Sequence, residues 1–98
     1  MAEFDPPESV VLAMVTFLAA SERVTEIAAG HPPPTKVAAG EARVTDEQRH
    51  DLATARADEQ RAARELRYHE WWASLEPEHR VEADMYVRRL AQDRMRQS

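Results

Sequence analysis

The chain has 98 residues, a formal net charge of −5, no cysteine, two glycines and six prolines. That length fits one small domain, 1–98, near the size at which a single core barely suffices without a partner. The missing cysteine excludes a disulfide framework, a zinc finger and thiol catalysis. The balance of 18 acidic to 13 basic residues argues against coating nucleic acid by bulk charge.

Alanine occurs 17 times, arginine 12 times and lysine once, at Lys36. Arginine has many GC-rich codons and lysine none, which points to a GC-rich genome, bacterial or phage. Ala, Glu, Arg and Leu are strong helix formers. Both glycines and three of the prolines fall within 30–40, so the scattered turns of a β-sandwich or barrel are missing. The expected fold is all-α: three helices, a Pro-rich linker after the first, and an antiparallel hairpin of the second and third.

The first helix is expected over about 6–29, with Asp5 as N-cap, Pro6 and Pro7 in the first turn and Glu8 at the capping-box position. Val10, Met14, Phe17, Ser21, Val24 and Ala28 recur at helical spacing, and Val11, Val15 and Leu18 widen the stripe. The first half is thus apolar nearly all round and should be deeply buried. Its apolar run Val10–Ala20 covers only about 16 Å as a helix, roughly half a bilayer core. Glu3, Asp5 and Glu8 do not suit a signal peptide, and a soluble cytoplasmic protein is expected. Gly30 and Pro32 end this helix.

The linker is 30–44. Pro32, Pro33 and Pro34 favour an extended polyproline II spacer, and a docking segment for a Pro-recognising partner is the alternative. The second helix, 46–74, opens with a capping box at Thr45 and Gln48. The third, 77–95, opens with Pro77 in its first turn. The large apolar residues fall in Val10–Leu18, in Leu66, Tyr68, Trp71, Trp72 and Leu75, and in Val81, Met85, Tyr86, Val87 and Leu90. Adjacent Trp71 and Trp72 point about 100° apart, so burying both requires contact on two sides of the helix.

Residues 45–65 carry almost no large apolar side chains. Leu52, Ala55, Glu59, Ala62 and Leu66 follow a weak seven-residue repeat. An arm this poor in apolar area packs along the first helix, pairs with a second copy, or binds another protein.

Candidate chemistry is sparse. Glu47/His50 and Glu76/His79 have the Glu-x-x-His spacing of di-iron helical bundles, but they lie at opposite ends of the expected hairpin. Capping and the helix dipole account for Glu47, Glu76 and Glu78; no metal or cofactor is expected. Glu65 and His69 would sit one turn apart beside Trp72, a pH-sensitive pair at most. Ser9, Ser21, Ser74 and Ser98 lack a base and orienter visible in sequence, and the glycines stand alone rather than in a phosphate loop. No catalytic residue is expected.

The function this supports is a non-enzymatic interaction or regulatory protein, acting as a homodimer and on a further protein. Its expected surface is Arg56 and Arg64 of the arm with Trp71 or Trp72 as anchor, since Trp and Arg are enriched among interface hot spots. The alternatives are a DNA-binding accessory protein using Arg88, Arg89, Arg94 and Arg96 near the C-terminus, and a helical metal-binding protein. No membrane partner is expected.

Overall fold

The structure, a computed structural model, describes residues 3–97. It is all-α, with three long helices: α1 (Glu8–Ala29), α3 (Asp46–Arg67) and α5 (Arg80–Gln97). Two short helices interrupt the connections, α2 (Pro34–Ala38) and α4 (Glu70–Ala73), and a 3₁₀ turn at Pro77–His79 leads into α5.

Helix α1 starts later than the Asp5 cap predicts. A residue before proline is pushed out of the α region, and Asp5 and Pro6 each precede one. Pro7 therefore becomes the N-cap with extended dihedrals, and its carbonyl accepts the Val10 N–H at 3.0 Å. No side chain caps this end. At the other end Gly30 has φ −80°, an ordinary right-handed conformation.

The linker is not the extended spacer that three prolines predict. Pro33 has polyproline-like dihedrals, but Pro34 stands at the first position of α2, where its missing N–H costs nothing. Gly40 ends the turn beyond α2 with φ +75°, and the Glu41 N–H closes back on the Lys36 carbonyl at 2.9 Å. The two glycines are therefore unequal. Gly40→Ala is expected to cost about 1–2 kcal/mol in thermal unfolding, because a Cβ disfavours the left-handed region. Gly30→Ala should not destabilise, because a Cβ there meets the Ile27 carbonyl at 3.4 Å and the Glu26 carbonyl at 3.9 Å, ordinary contact distances.

Helix α3 opens as predicted. The Thr45 hydroxyl accepts the Gln48 N–H at 3.0 Å, and the Gln48 side-chain oxygen accepts the Thr45 N–H at 2.9 Å. It does not run on to Ser74. The chain leaves the helix after Arg67, and His69 is extended (φ −63°, ψ 133°) and caps α4 by accepting the Trp71 N–H on Nδ1 at 3.1 Å. With the helix broken there, Trp71 and Trp72 both pack against the core, their rings 4.9 Å apart and edge-on. Two adjacent tryptophans meet one core because the backbone turns, not because a straight helix is clasped from two sides.

Helix α1 is the element the other two share. It runs antiparallel to α3: Ser9 bonds His69, while Ala19 and Ala20 line one groove with Ala55. It is also crossed steeply by α5. Glu8 bonds Arg94, yet Leu18 and Ser21 share a groove with Gln92 and Met95, so points about 15 Å apart on α1 meet the same end of α5. Helices α3 and α5 themselves meet little, so α1 fills most of the space a close hairpin would close.

The core is Val10, Met14, Leu66, Val87 and Ala91, with Phe17, Leu18, Trp71 and Trp72 partly buried around it. Ala55 and Ala62 are buried too, so the seven-residue stripe of the arm lies against α1. Four expected core residues are outside it: Tyr68, Val81, Met85 and Tyr86 are exposed. The inward face of α5 is Ala83, Val87 and Ala91; Met85, two residues before Val87, is turned about 160° away from it. Leu12 is also exposed, so α1 is open on one side.

The molecule measures 55 × 29 × 21 Å, with a radius of gyration of 17.4 Å. A compact chain of this length would have about 13 Å. Its accessible area of 7311 Å² exceeds the roughly 5,700 Å² of a typical monomer of its mass. Two helices that share one central partner, rather than closing on each other, leave that excess.

Candidate functional site

The break between α3 and α4 opens a cleft of about 560 Å³ between the end of α3, α4 and the start of α5. Its floor is apolar: Phe17 from α1, Leu66 from α3 and Trp72 from α4. Its rim is charged. Arg67 ends α3, Arg80 begins α5, and Asp84 and Arg88 follow one and two turns on. Tyr68 stands at the mouth, 77% exposed. The volume is in the range of ligand-binding clefts.

Two features of the cleft wall are invisible in sequence. The first is the Trp72 indole Nε1, which is covered yet has no hydrogen-bond acceptor. A buried donor without a partner is uncommon and destabilises by about 1–3 kcal/mol. The second is His69, whose Nε2 lies 2.9 Å from the Ser9 hydroxyl across sixty residues of chain. Because Nδ1 accepts the Trp71 N–H, the neutral ring carries its proton on Nε2 and donates it to Ser9. A base that activated Ser9 would need the opposite tautomer. The pair ties α1 to α4 and does not form a nucleophile and its base. His69→Ala removes both bonds and is expected to cost about 1–3 kcal/mol; chemical denaturation followed by tryptophan emission checks it.

The predicted Glu65–His69 pair does not form as one helical face, because α3 ends between them; His69 turns to Ser9 and Trp71 instead. Ser98 lies outside the described residues. His50 begins α3 and His79 lies in the turn before α5, most of the length of α3 apart, about 26 Å by helix rise to Arg67. Among the described residues no three His, Asp or Glu side chains converge on a point. No helix among them is long and apolar enough to cross a membrane.

Of the predicted contact residues, Trp72 lines the cleft and Trp71 packs beside it. Arg56 and Arg64 are exposed on α3 and are not part of the cleft wall. Arg56 is about 16 Å from Arg67 by helix rise. The structure thus leaves Arg56 and Arg64 off the cleft wall and places Arg67 and Arg80 on it with Trp72. Neither arginine was singled out in the sequence, because the expected helix ran on to 74 and nothing linked Arg67 to Arg80.

The C-terminal arginines are largely engaged with carboxylates. Arg88 meets Asp84 at 3.5 Å, Arg96 meets Asp93, and Arg94 makes a two-pronged contact to Glu8. Arg89 is exposed and has no ion pair among the described residues. The Arg94 hydrogen bond holds the Glu8 carboxyl below the usual carboxylate range. A depressed folded-state value means the pair stabilises above the ordinary Glu range and is lost as pH falls through the lowered value. Both groups are solvent-exposed, so the contribution is small and screened by salt. Arg94→Ala is expected to remove that acid-side dependence, measured as the difference in melting temperature across pH 3–6.

No curated protein and no solved structure matches the chain. One family model does, over residues 10–90, and it is described as a domain of unknown function, DUF8825. The match runs from the start of α1 through most of α5. It includes every residue that builds the cleft from Phe17 to Arg88, and leaves Glu8 and Arg94 outside. Covering most of the chain, it makes this protein a member of the DUF8825 family.

Proposed function

We propose that the protein is a non-enzymatic interaction protein and that the cleft beside Trp72 is where it holds a protein partner. The observation that carries this is the cleft itself: an apolar floor of Phe17, Leu66 and Trp72 and an arginine rim. Aromatic and arginine side chains around a desolvated pocket are the usual composition of interface hot spots. The unusually large accessible area supports the same reading, since an extended helical chain gains more than a compact one by covering surface.

The test is a photo-reactive side chain at Tyr68, at the cleft mouth, in the native host. A single crosslinked protein, lost when Trp72→Phe is combined with Arg80→Ala, supports the reading. Crosslinking that is unaffected by those changes, or absent, removes it. Phe in place of Trp keeps most of the packing, so loss of the fold does not imitate loss of contact.

Self-association is a second reading, favoured by one observation. Val81 and Met85 stand side by side on the outer face of α5, 73% and 59% exposed, and a two-fold contact would cover both. Sedimentation equilibrium at micromolar concentration should give a dimer that Met85→Asp dissociates; a wild-type monomer would sink it. The arm does not require a second copy, because α1 already covers its alanine stripe.

A further inference from the structure

Resting on the reading that the Trp72 cleft holds a protein, we infer that its occupant is an acidic segment carrying an apolar anchor. The anchor fills the floor of Phe17, Leu66 and Trp72, and the flanking carboxylates meet Arg67 and Arg80.

Charge selects this chemistry. Of the charged groups around the cleft, Asp84 and Arg88 lie 3.5 Å apart and offset each other. That leaves Arg67 and Arg80 against Glu70, a positive patch on a chain whose net charge is −5. Both arginines are exposed and have no ion pair among the described residues. The helix dipole accounts for Arg67, in the last turn of α3, but not for Arg80, which begins α5 directly after the 3₁₀ turn.

Shape selects a segment rather than a lone side chain or a polymer. The cleft of about 560 Å³ is several times the size of a Leu or Phe side chain, so backbone must enter with the anchor. A long polyanion is disfavoured because the field beyond the cleft is negative. A basic segment meets the two arginines directly.

The probe is a capped nonapeptide in which aspartates flank a central Phe-Leu pair. It contains no tryptophan, so Trp71 and Trp72, the two in the chain, report binding by their emission. The expected result is a saturable change, weakened roughly tenfold when the aspartates become asparagines or when Arg67→Ala and Arg80→Ala are combined, and weakened by added salt. Circular dichroism of the double variant should match wild type, since both arginines are exposed. Equal binding of the asparagine or a lysine peptide overturns the acidic specificity while leaving the cleft as a protein site. Binding of a mononucleotide or an oligonucleotide in place of the peptide, or no response to any probe, overturns the inference. Tyr68 crosslinking in the host that is absent, or that the Trp72→Phe and Arg80→Ala changes leave unaffected, by contrast removes the underlying reading itself, so the two failures are distinct.

Discussion

Met14→Ala is expected to lower the unfolding free energy by about 2–5 kcal/mol, the range for truncating a fully buried Leu, Ile or Met. Met14 is completely buried and belongs to the cluster in which α1 meets both α3 and α5. Its neighbours there are Val10, Leu66, Val87 and Ala91, and the alanine cannot move far to fill a void because it is part of the backbone's close approach. A small domain has about 5–15 kcal/mol in total, and this one, with a thin core, has little to spare. Met14→Leu conserves volume and should cost less than about 1.5 kcal/mol. Urea denaturation followed by helical circular dichroism measures both. A Met14→Ala cost under about 1 kcal/mol would mean that the helices close over the gap and that Met14 does not anchor them.

Val87→Asp has the second large effect, and it is of a different kind. Val87 is fully buried against α1, and no polar side chain is buried among the described residues to receive a carboxylate. An unpaired charge placed there costs several kcal/mol. Because α5 is held chiefly through α1, the expected outcome is that α5 undocks while the α1–α3 pair stays helical. Limited proteolysis should cut first within residues 74–97, with much of the helical signal retained. Val81→Asp, six residues earlier on the same helix, should change stability by no more than about 0.5 kcal/mol, since Val81 is largely exposed. A cooperative loss of all helix in Val87→Asp would show that the three helices stand or fall together. Equal sensitivity at the two valines would contradict the assigned face of α5.

These two valines also show where sequence reading stops. Both lie in an amphipathic stretch, and composition gives no reason to prefer one. The inward face of α5 is instead set by Ala83, Val87 and Ala91, where small side chains let α1 come close. Hydrophobicity ranks Val81, Met85 and Tyr86 above those alanines, which is why they read as core. Close approach rewards smallness, and only the packed partner shows where that matters. The same rule was partly legible in α3, because there Ala55 and Ala62 fall on a weak seven-residue repeat ending at Leu66. What the repeat left open was its partner, and α1 covers it.

The candidate site was half legible. Trp72 stood out by residue type, and the structure places it on the wall of the cleft. Its companions did not. Arg56 and Arg64 were chosen from the same underfurnished arm, yet the cleft needs residues from the two sides of a chain break. The break has no glycine or proline to announce it. It depends on a His69 ring nitrogen capping α4 and on the Ser9 hydroxyl sixty residues away, a bond that exists only once α1 has docked.

Residue chemistry alone determined that this protein is helical, that 30–44 interrupts it, that Thr45 and Gln48 start a helix, and that nearly all large apolar side chains lie outside the arm. Those properties follow from local forces: propensity, capping and proline sterics act within a few residues. Tertiary structure decided that α1 is the shared central helix, that the second predicted helix stops at Arg67, and that Arg67 and Arg80 line one cleft with Trp72. Those depend on contacts between distant segments, whose energies no window of sequence contains. The length of 98 residues suggested a core that barely suffices without a partner. In the fold one helix serves two others, and the surface this leaves uncovered includes the Trp72 cleft.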